Sequence, residues 1–318
     1  MKLSLVVPCY NEEGNIAEMN KAIEKAFSGC GFDYEIVFVN DGSTDNTYKA
    51  LCEVYNNSTQ NIKVVNFSRN FGKESAIFAG LKESCGDITA IIDADLQQRP
   101  EIVLEMVRIL DEDSETDCVT AYQETRKEGA VSRFFKNGFY KIINKFSDTE
   151  FVKNASDFRA MRREMVDAVL DMEEYFRFSK GIFSWVGFNT KYIPYTAEKR
   201  FSGETKWSFG KLFKYALDGI ISFTTLPLKL ATGVGLITSM LSIIYLIVVV
   251  IQKLFFKIDV PGYATIVVLV LLLGGIQLLC LGIVGEYIGK TYMETKKRPI
   301  YIAKKILDYK DKNRIDRS

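Results

Sequence analysis

Histidine is absent from the 318 residues. That removes histidine triads, histidine-ligated zinc and histidine general bases together. Asp, Glu, Lys or Tyr must move any proton, and oxygen or sulfur must hold any metal. A strong charge of either sign is also missing. The 41 basic residues face 40 acidic ones, a net of +1, which excludes the basic footprint of a general nucleic-acid binder. The six cysteines (Cys9, Cys30, Cys52, Cys85, Cys118 and Cys280) form no CxxC pair. They read as small buried hydrophobes in a reducing compartment rather than as a disulfide framework. A secretory signal is lacking too, because the apolar start "LSLVV" is cut short at Pro8.

The apolar residues that are present are unevenly spread. Leu230 to Gln252 carries no charge, nor does Val260 to Gly285. Each is long enough to cross a hydrocarbon core as a helix, which takes ~20 residues. Lysines precede the first run (Lys206, Lys211, Lys214, Lys229), and Lys290, Lys296, Lys297, Arg298, Lys304 and Lys305 follow the second. The joining loop "KLFFKIDVP" offers only Lys253 and Lys257. The positive-inside tendency then places both ends in the cytoplasm and makes the segment a membrane hairpin.

Upstream, strands at "LSLVVP", "YEIVFVN", "IKVVNF" and "DITAIID" alternate with helical patterns such as "KESAIFAGLKES". This order predicts an α/β layer on a largely parallel sheet. The chain divides into residues 1–227 as a cytoplasmic domain with interfacial helices, 228–289 as two transmembrane helices, and 290–318 as a basic cytoplasmic tail.

Open α/β sheets bind ligands at the carboxyl ends of their strands. Three of the four strand ends carry unusual chemistry: "PCYNEE" (Pro8 to Glu13), "NDGSTD" (Asn40 to Asp45) and "DADLQ" (Asp93 to Gln97). Each has a plain structural alternative. "NDGSTD" reads equally as a turn with Asp45 capping a helix, "PCYNEE" as a loop and helix start, and the acidic triplet as a solvated turn. In an extended backbone, however, Asp93, Asp95 and Gln97 project to one side and offer three oxygens to a hard cation such as Mg²⁺ or Mn²⁺. Such an ion would neutralise the carboxylates together with a diphosphate.

"VVPCYNEE", "VNDGSTD" and "IDADLQ" resemble family 2 nucleotide-sugar glycosyltransferases of the GT-A fold. Adding "SDFRAM", "FSWVGF", "RFSGETKWSF" and the two apolar runs, the chain resembles the polyprenyl-phosphate branch, which contains bactoprenol glucosyltransferases and dolichol-phosphate mannose synthases. The resemblance covers nearly the whole chain. It implies a GT-A Rossmann-like nucleotide-sugar domain with a C-terminal two-helix transmembrane hairpin. It further implies that Pro8, Tyr10, Glu12, Asp41 and Asp93 bind the donor, and that Asp93, Asp95 and Gln97 hold Mg²⁺ or Mn²⁺. Asp157 matches the catalytic base, although an Asp there also reads as a helix cap. Arg200 and Lys206 would grip donor and acceptor phosphates, and Arg133 would reach the acceptor. Arg99, in "QQRPE", departs from the commoner acidic residue or proline.

The implied reaction is inverting transfer of one sugar, preferably from UDP-glucose, to polyprenyl phosphate. The implied setting is a bacterial inner membrane, with the catalytic domain cytoplasmic and the enzyme a homotetramer. Two other readings compete. A processive polysaccharide synthase shares the early motifs but carries QxxRW, whereas the QxxR here is "QETRK", Gln123 to Lys127. A non-catalytic membrane accessory protein could keep the nucleotide-binding fold. "VSRFFKNGFYKIINKF" (Val131 to Phe146) and "GKLFKYALDGIISFTTLP" (Gly210 to Pro227) have the pattern of interfacial helices. The first reads equally as an amphipathic helix packed on the sheet.

Overall fold

The computed structural model describes residues 1–123, 138, 144, 155–198, 221, 224–255 and 262–311. Arg133, Arg200 and Lys206 lie outside the described residues, as does most of the two expected interfacial segments.

The early apolar runs become strands. β1 (Lys2–Cys9), β2 (Asp33–Asn40), β3 (Asn61–Phe67) and β4 (Ile88–Ile91) are joined by α1 (Ile16–Phe27), α2 (Thr47–Asn57) and α3 (Lys73–Glu83). They pair in parallel in the order β4-β1-β2-β3. Helices cover both faces, so both faces of each strand are buried and the strand sequences read as nearly unbroken apolar stretches. The winding reverses at β1, with β2 and β3 on one side and β4 on the other. A reversal of this kind opens a crevice at the strands' carboxyl ends, here between β1 and β4.

The chain continues through α4 (Glu101–Glu112), β5 (Cys118–Gln123), β6 (Ala155–Arg162), α5 (Arg163–Leu170), α6 (Ser179–Trp185) and β7 (Thr190–Tyr195). β6 runs antiparallel to both β4 and β5. The sheet is therefore mixed: its centre shows the expected parallel run, and β7 pairs in parallel with β5 at one edge. Ile16, Met19, Ile23, Leu51 and Met106 pack on one face of it, while Ala76, Ile77, Met165, Val166 and Ile182 pack on the other.

α7 (Leu226–Phe255) and α8 (Tyr263–Thr295) are long and apolar enough to cross a membrane, with mean hydropathies of 2.7 and 2.8 over an 18-residue stretch of each. Their bulky side chains stay exposed, for example Leu241 at 60% and Leu271 at 70%. A helix that is apolar all round has no face suited to water.

The expected tail does more than trail. After α8 the chain returns as β8 (Ala303–Asp308), antiparallel to β3 with Val64 opposite Leu307 and Val65 opposite Ile306. Its exposed Lys304 and Lys305 gave the segment its tail-like charge. Charged side chains are also what protects a sheet edge from unwanted pairing. The hairpin's exit is fastened too. The Glu294 carboxylate accepts hydrogen bonds from the N–H groups of Tyr175 (3.1 Å) and Phe176 (3.3 Å), and Tyr301 stacks on Phe67 at 4.9 Å.

The cysteines are all free, but of the expected buried set only Cys9 and Cys118 are buried; Cys30, Cys52 and Cys280 are half-buried, and Cys85 is exposed. It belongs to a network at the sheet end remote from the crevice. Fully buried Glu35 accepts hydrogen bonds from Ser4 Oγ (2.6 Å), the Cys85 N–H (2.9 Å), Lys2 Nζ (3.0 Å) and Tyr309 Oη (3.2 Å). Burial alone would raise the Glu35 carboxyl. The Ser4, Cys85 and Lys2 donors outweigh it and hold the carboxyl at about 2, below its ordinary 4.5. The stabilisation is therefore complete above pH 4.5 and fades as pH falls toward 2. Wild type is expected to exceed Glu35→Gln by on the order of 3 kcal/mol at about pH 7, with the gap narrowing at about pH 3. Urea denaturation of the full chain in detergent reads both values, and an equal gap would contradict the network's role.

Candidate active site

The loops after β1 and β2 form one structure. Asn11, at φ 52, accepts a hydrogen bond from the Thr44 N–H (2.8 Å), and its own N–H donates to Ser43 Oγ (2.9 Å). The Glu12 N–H donates to Thr47 Oγ1 (2.7 Å), and the Glu13 carboxylate accepts from the Asn46 N–H (2.9 Å). "PCYNEE" and "NDGSTD" are thus sewn together rather than merely adjacent. Asp45 lies one residue before the N-cap, Asn46, and its Oδ1 accepts from the N–H of Thr47 (3.0 Å), the first residue of α2. Pro8 is half-buried one residue before β1 ends at Cys9, and half-buried Tyr10 follows the strand.

Asp41 is 3% exposed, and its carboxylate is engaged within the fold. It accepts hydrogen bonds from the N–H of Phe71 (2.7 Å), the N–H of Gly72 (3.0 Å) and Asn70 Nδ2 (2.9 Å). Through these bonds the carboxylate pins the turn after β3. Burial pushes this carboxyl up to about 6, against the pull of the Phe71 and Gly72 donors. Gly42 permits the close approach. At φ 59, a Cβ on it would lie 2.1 Å from the Arg69 carbonyl carbon.

That turn delivers Lys73, the first residue of α3. Its ammonium lies 2.7 Å from Asp93 Oδ1 and 3.1 Å from Asp157 Oδ2. Asp157 sits within β6, so it caps no helix. Burial would raise its carboxyl, but Lys73, then Lys180 and Arg159, hold it well below the usual carboxylate range. Lys73 is correspondingly held above the ordinary lysine value, its two carboxylates outweighing burial. Lys180, at the start of α6, is pushed down by burial, with Asp157 opposing and Lys73 and Arg159 reinforcing. The Arg159 guanidinium lies over the Phe183 ring at 3.8 Å.

The extended-backbone geometry expected of Asp93, Asp95 and Gln97 is not what forms. β4 ends at Ile91, and Leu96 adopts φ 60, so the chain turns between the residues that were to align. Asp95 Oδ1 accepts a hydrogen bond from the Gln97 N–H at 3.1 Å, the local closure by which Asp favours turns over strands. Gln98 clasps Asp93, its Oε1 accepting from the Asp93 N–H at 2.9 Å. Gln97 Nε2 donates to the Glu198 carbonyl (3.2 Å), and the Glu198 N–H returns a bond to the Gln97 carbonyl (3.0 Å). Among the described residues, no three His, Cys, Asp or Glu side chains cluster as a ready-made metal site. Two neighbouring carboxylates and an amide still form a hard-oxygen set, suited to a cation that takes further ligands from a diphosphate.

Lys73 was missed in the sequence. Its strand end, "NFGK", was the one of four given no chemistry, and a glycine followed by a cation at a helix start was the available signal.

Residues 4–170 match the model of Glycosyl transferase family 2, and residues 226–291 match that of the GtrB C-terminal hairpin. A prophage bactoprenol glucosyl transferase homolog of Escherichia coli (strain K12) is 40% identical over 307 residues, covering 96% of this chain and 99% of that one. The bactoprenol glucosyl transferase of Shigella phage SfII is 40% identical over 306 residues, covering 96% and 98%. A solved glucosyl-3-phosphoglycerate synthase from Mycobacterium tuberculosis, in complex with Mn²⁺, UDP and phosphoglyceric acid, aligns with a TM-score of 0.46 at 19% identity over 69% of this chain and 76% of that one. At that distance it carries no weight for the site.

The Asp41 contacts give a signed pH dependence. A carboxyl raised to about 6 in the fold contributes stability that is complete below its ordinary 3.8 and is lost as pH rises through 6. The wild-type stability relative to Asp41→Asn, which cannot ionise, should therefore fall between about pH 4 and about pH 7. Thermal melts across that range test it, and a difference that grows with pH would contradict it.

Proposed function

The chain belongs to glycosyl transferase family 2, and on that footing we propose that it moves a single glucose from UDP-glucose to undecaprenyl phosphate at the cytoplasmic face of a bacterial inner membrane, inverting the anomeric centre. The observation that carries this reading is the meeting of Lys73, Asp93 and Asp157 at the crevice of a chain that also bears a membrane-length apolar hairpin. A water-soluble donor and a lipid acceptor call for that combination. The similarity to bactoprenol glucosyl transferases over 96% of the chain supports it. A multi-pass hairpin with both ends cytoplasmic, and assembly as a homotetramer, belong to the same proposal.

An oxygen of the acceptor phosphate attacks the sugar's anomeric carbon. The bond from that carbon to the diphosphate oxygen breaks, and its electron pair leaves with UDP. Asp95, with Asp93 and Gln97, would hold Mg²⁺ or Mn²⁺, which when bound supplies positive charge opposite the departing diphosphate. Pro8, Tyr10, Glu12 and Asp41 are assigned to the donor's nucleoside, and Arg133, Arg200 and Lys206 to the phosphates. The role of Asp157 follows from its surroundings. A phosphomonoester has its second pKa near ~6, so the acceptor is mostly dianionic at neutral pH. A carboxylate held far below its usual range is a weak base. Asp157 therefore orients the acceptor rather than deprotonating it.

Membranes containing the protein, given undecaprenyl phosphate, Mn²⁺ and UDP-glucose, should yield a lipid carrying one hexose, read by product mass. A polymer would favour the processive reading, and no product from any nucleotide sugar would favour the accessory one. Asp95→Ala should abolish turnover. Asp157→Asn should lower kcat by about 100-fold, equally at about pH 6 and about pH 8. A defect that deepens at the lower pH would return Asp157 to the role of base.

A further inference from the structure

Building on the transferase reading, we propose that Lys73 is a positioning residue for that reaction, its ammonium locking Asp157 on β6 to the acidic end of β4. The groups serving the acceptor and those serving the donor then keep one fixed spacing.

Asp157 has little else to hold it. Among the described residues Lys73 is its one ion-pair partner, and its second oxygen, Oδ1, is buried without a hydrogen bond. A carboxylate held through one oxygen is only as fixed as its partner, and Lys73 is fixed from behind. Gly72 adopts φ 100, and the Asp41 carboxylate binds the Phe71 and Gly72 N–H groups. The next residue, Glu74, accepts hydrogen bonds from the Ser179 N–H at 2.8 Å and from its hydroxyl, tying the start of α3 to α6. The Asp157 side chain is 14% exposed and that of Lys73 38%, so the bridge borders the crevice rather than lying in the core. Without the ammonium, two carboxylates would face each other as like charges and one would move or take up a proton.

The test uses the full chain in detergent, with UDP-glucose, undecaprenyl phosphate and Mn²⁺. Lys73→Gln is expected to lower kcat by about 100-fold, while the donor KM changes by less than about threefold. Lys73→Arg, which keeps the charge, should recover kcat to within about tenfold of wild type. In an Asp157→Asn background, Lys73→Gln should add less than about threefold, because both changes remove one contact. An unimpaired Lys73→Gln, or full additivity in the double variant, overturns the inference. So does a donor KM raised about tenfold with kcat retained, which would make Lys73 a direct donor ligand. Should Lys73→Gln fail to fold, Lys73→Arg decides, since recovery supports the bridge and a background rate overturns it. A wild type that neither binds nor turns over UDP-glucose overturns the transferase reading itself. An active wild type with an unimpaired Lys73→Gln overturns this inference alone.

Discussion

One ammonium between two carboxylates organises the carboxyl-terminal side of this sheet. Lys73 meets Asp93, which follows β4, and Asp157, which lies in β6, while Asp41 at the end of β2 pins the turn that presents it. Four segments distant in sequence are thereby held in one arrangement. Charges so close to a buried sheet are costly unless paired; the ammonium offsets one of the two carboxylate charges, and Lys180 and Arg159 add positive charge near Asp157. The opposite end of the sheet is closed by a second charge network, in which Glu35 gathers donors from β1, from the segment before β4 and from the segment after β8. At the crevice end Lys180 and the half-buried Asp95 accompany the triad.

The membrane hairpin is an insertion into the sheet domain rather than an appendix to it. The chain leaves after β7, passes through α7 and α8, and returns to place β8 against β3. Both ends of the hairpin therefore return to the same body. Contacts from Glu294 to residues 175 and 176 lead onward to Ser179, Glu74 and Lys73. Two sets of hydrogen bonds, linked by the short chain segment from Phe176 to Ser179, thus join the end of α8 to the start of α3.

Much of this was legible in the sequence, and the failures have physical causes. The parallel centre was readable because doubly covered strands are continuously apolar. The hairpin was readable because uncharged runs of that length have few other uses. β8 was not, because an edge strand hides its pairing behind lysines. The acidic triplet was misread in detail. Spacing of two implies a shared side only while the backbone stays extended, and the Asp95 carboxylate itself closes a turn. The hold of Asp41 on the turn after β3 was not legible, because its partners Phe71 and Gly72 lie 30 and 31 residues away in sequence. Lys73 was invisible for a related reason: its partners are brought to it only by the sheet.

The most direct check is a high-resolution experimental structure of the full chain with UDP and Mn²⁺ bound. The account predicts Asp95 on the ion and Lys73 Nζ still within hydrogen-bonding reach of Asp157, at about 3 Å. A structure in which Lys73 has swung onto the diphosphate, leaving Asp157 unpaired, would contradict it.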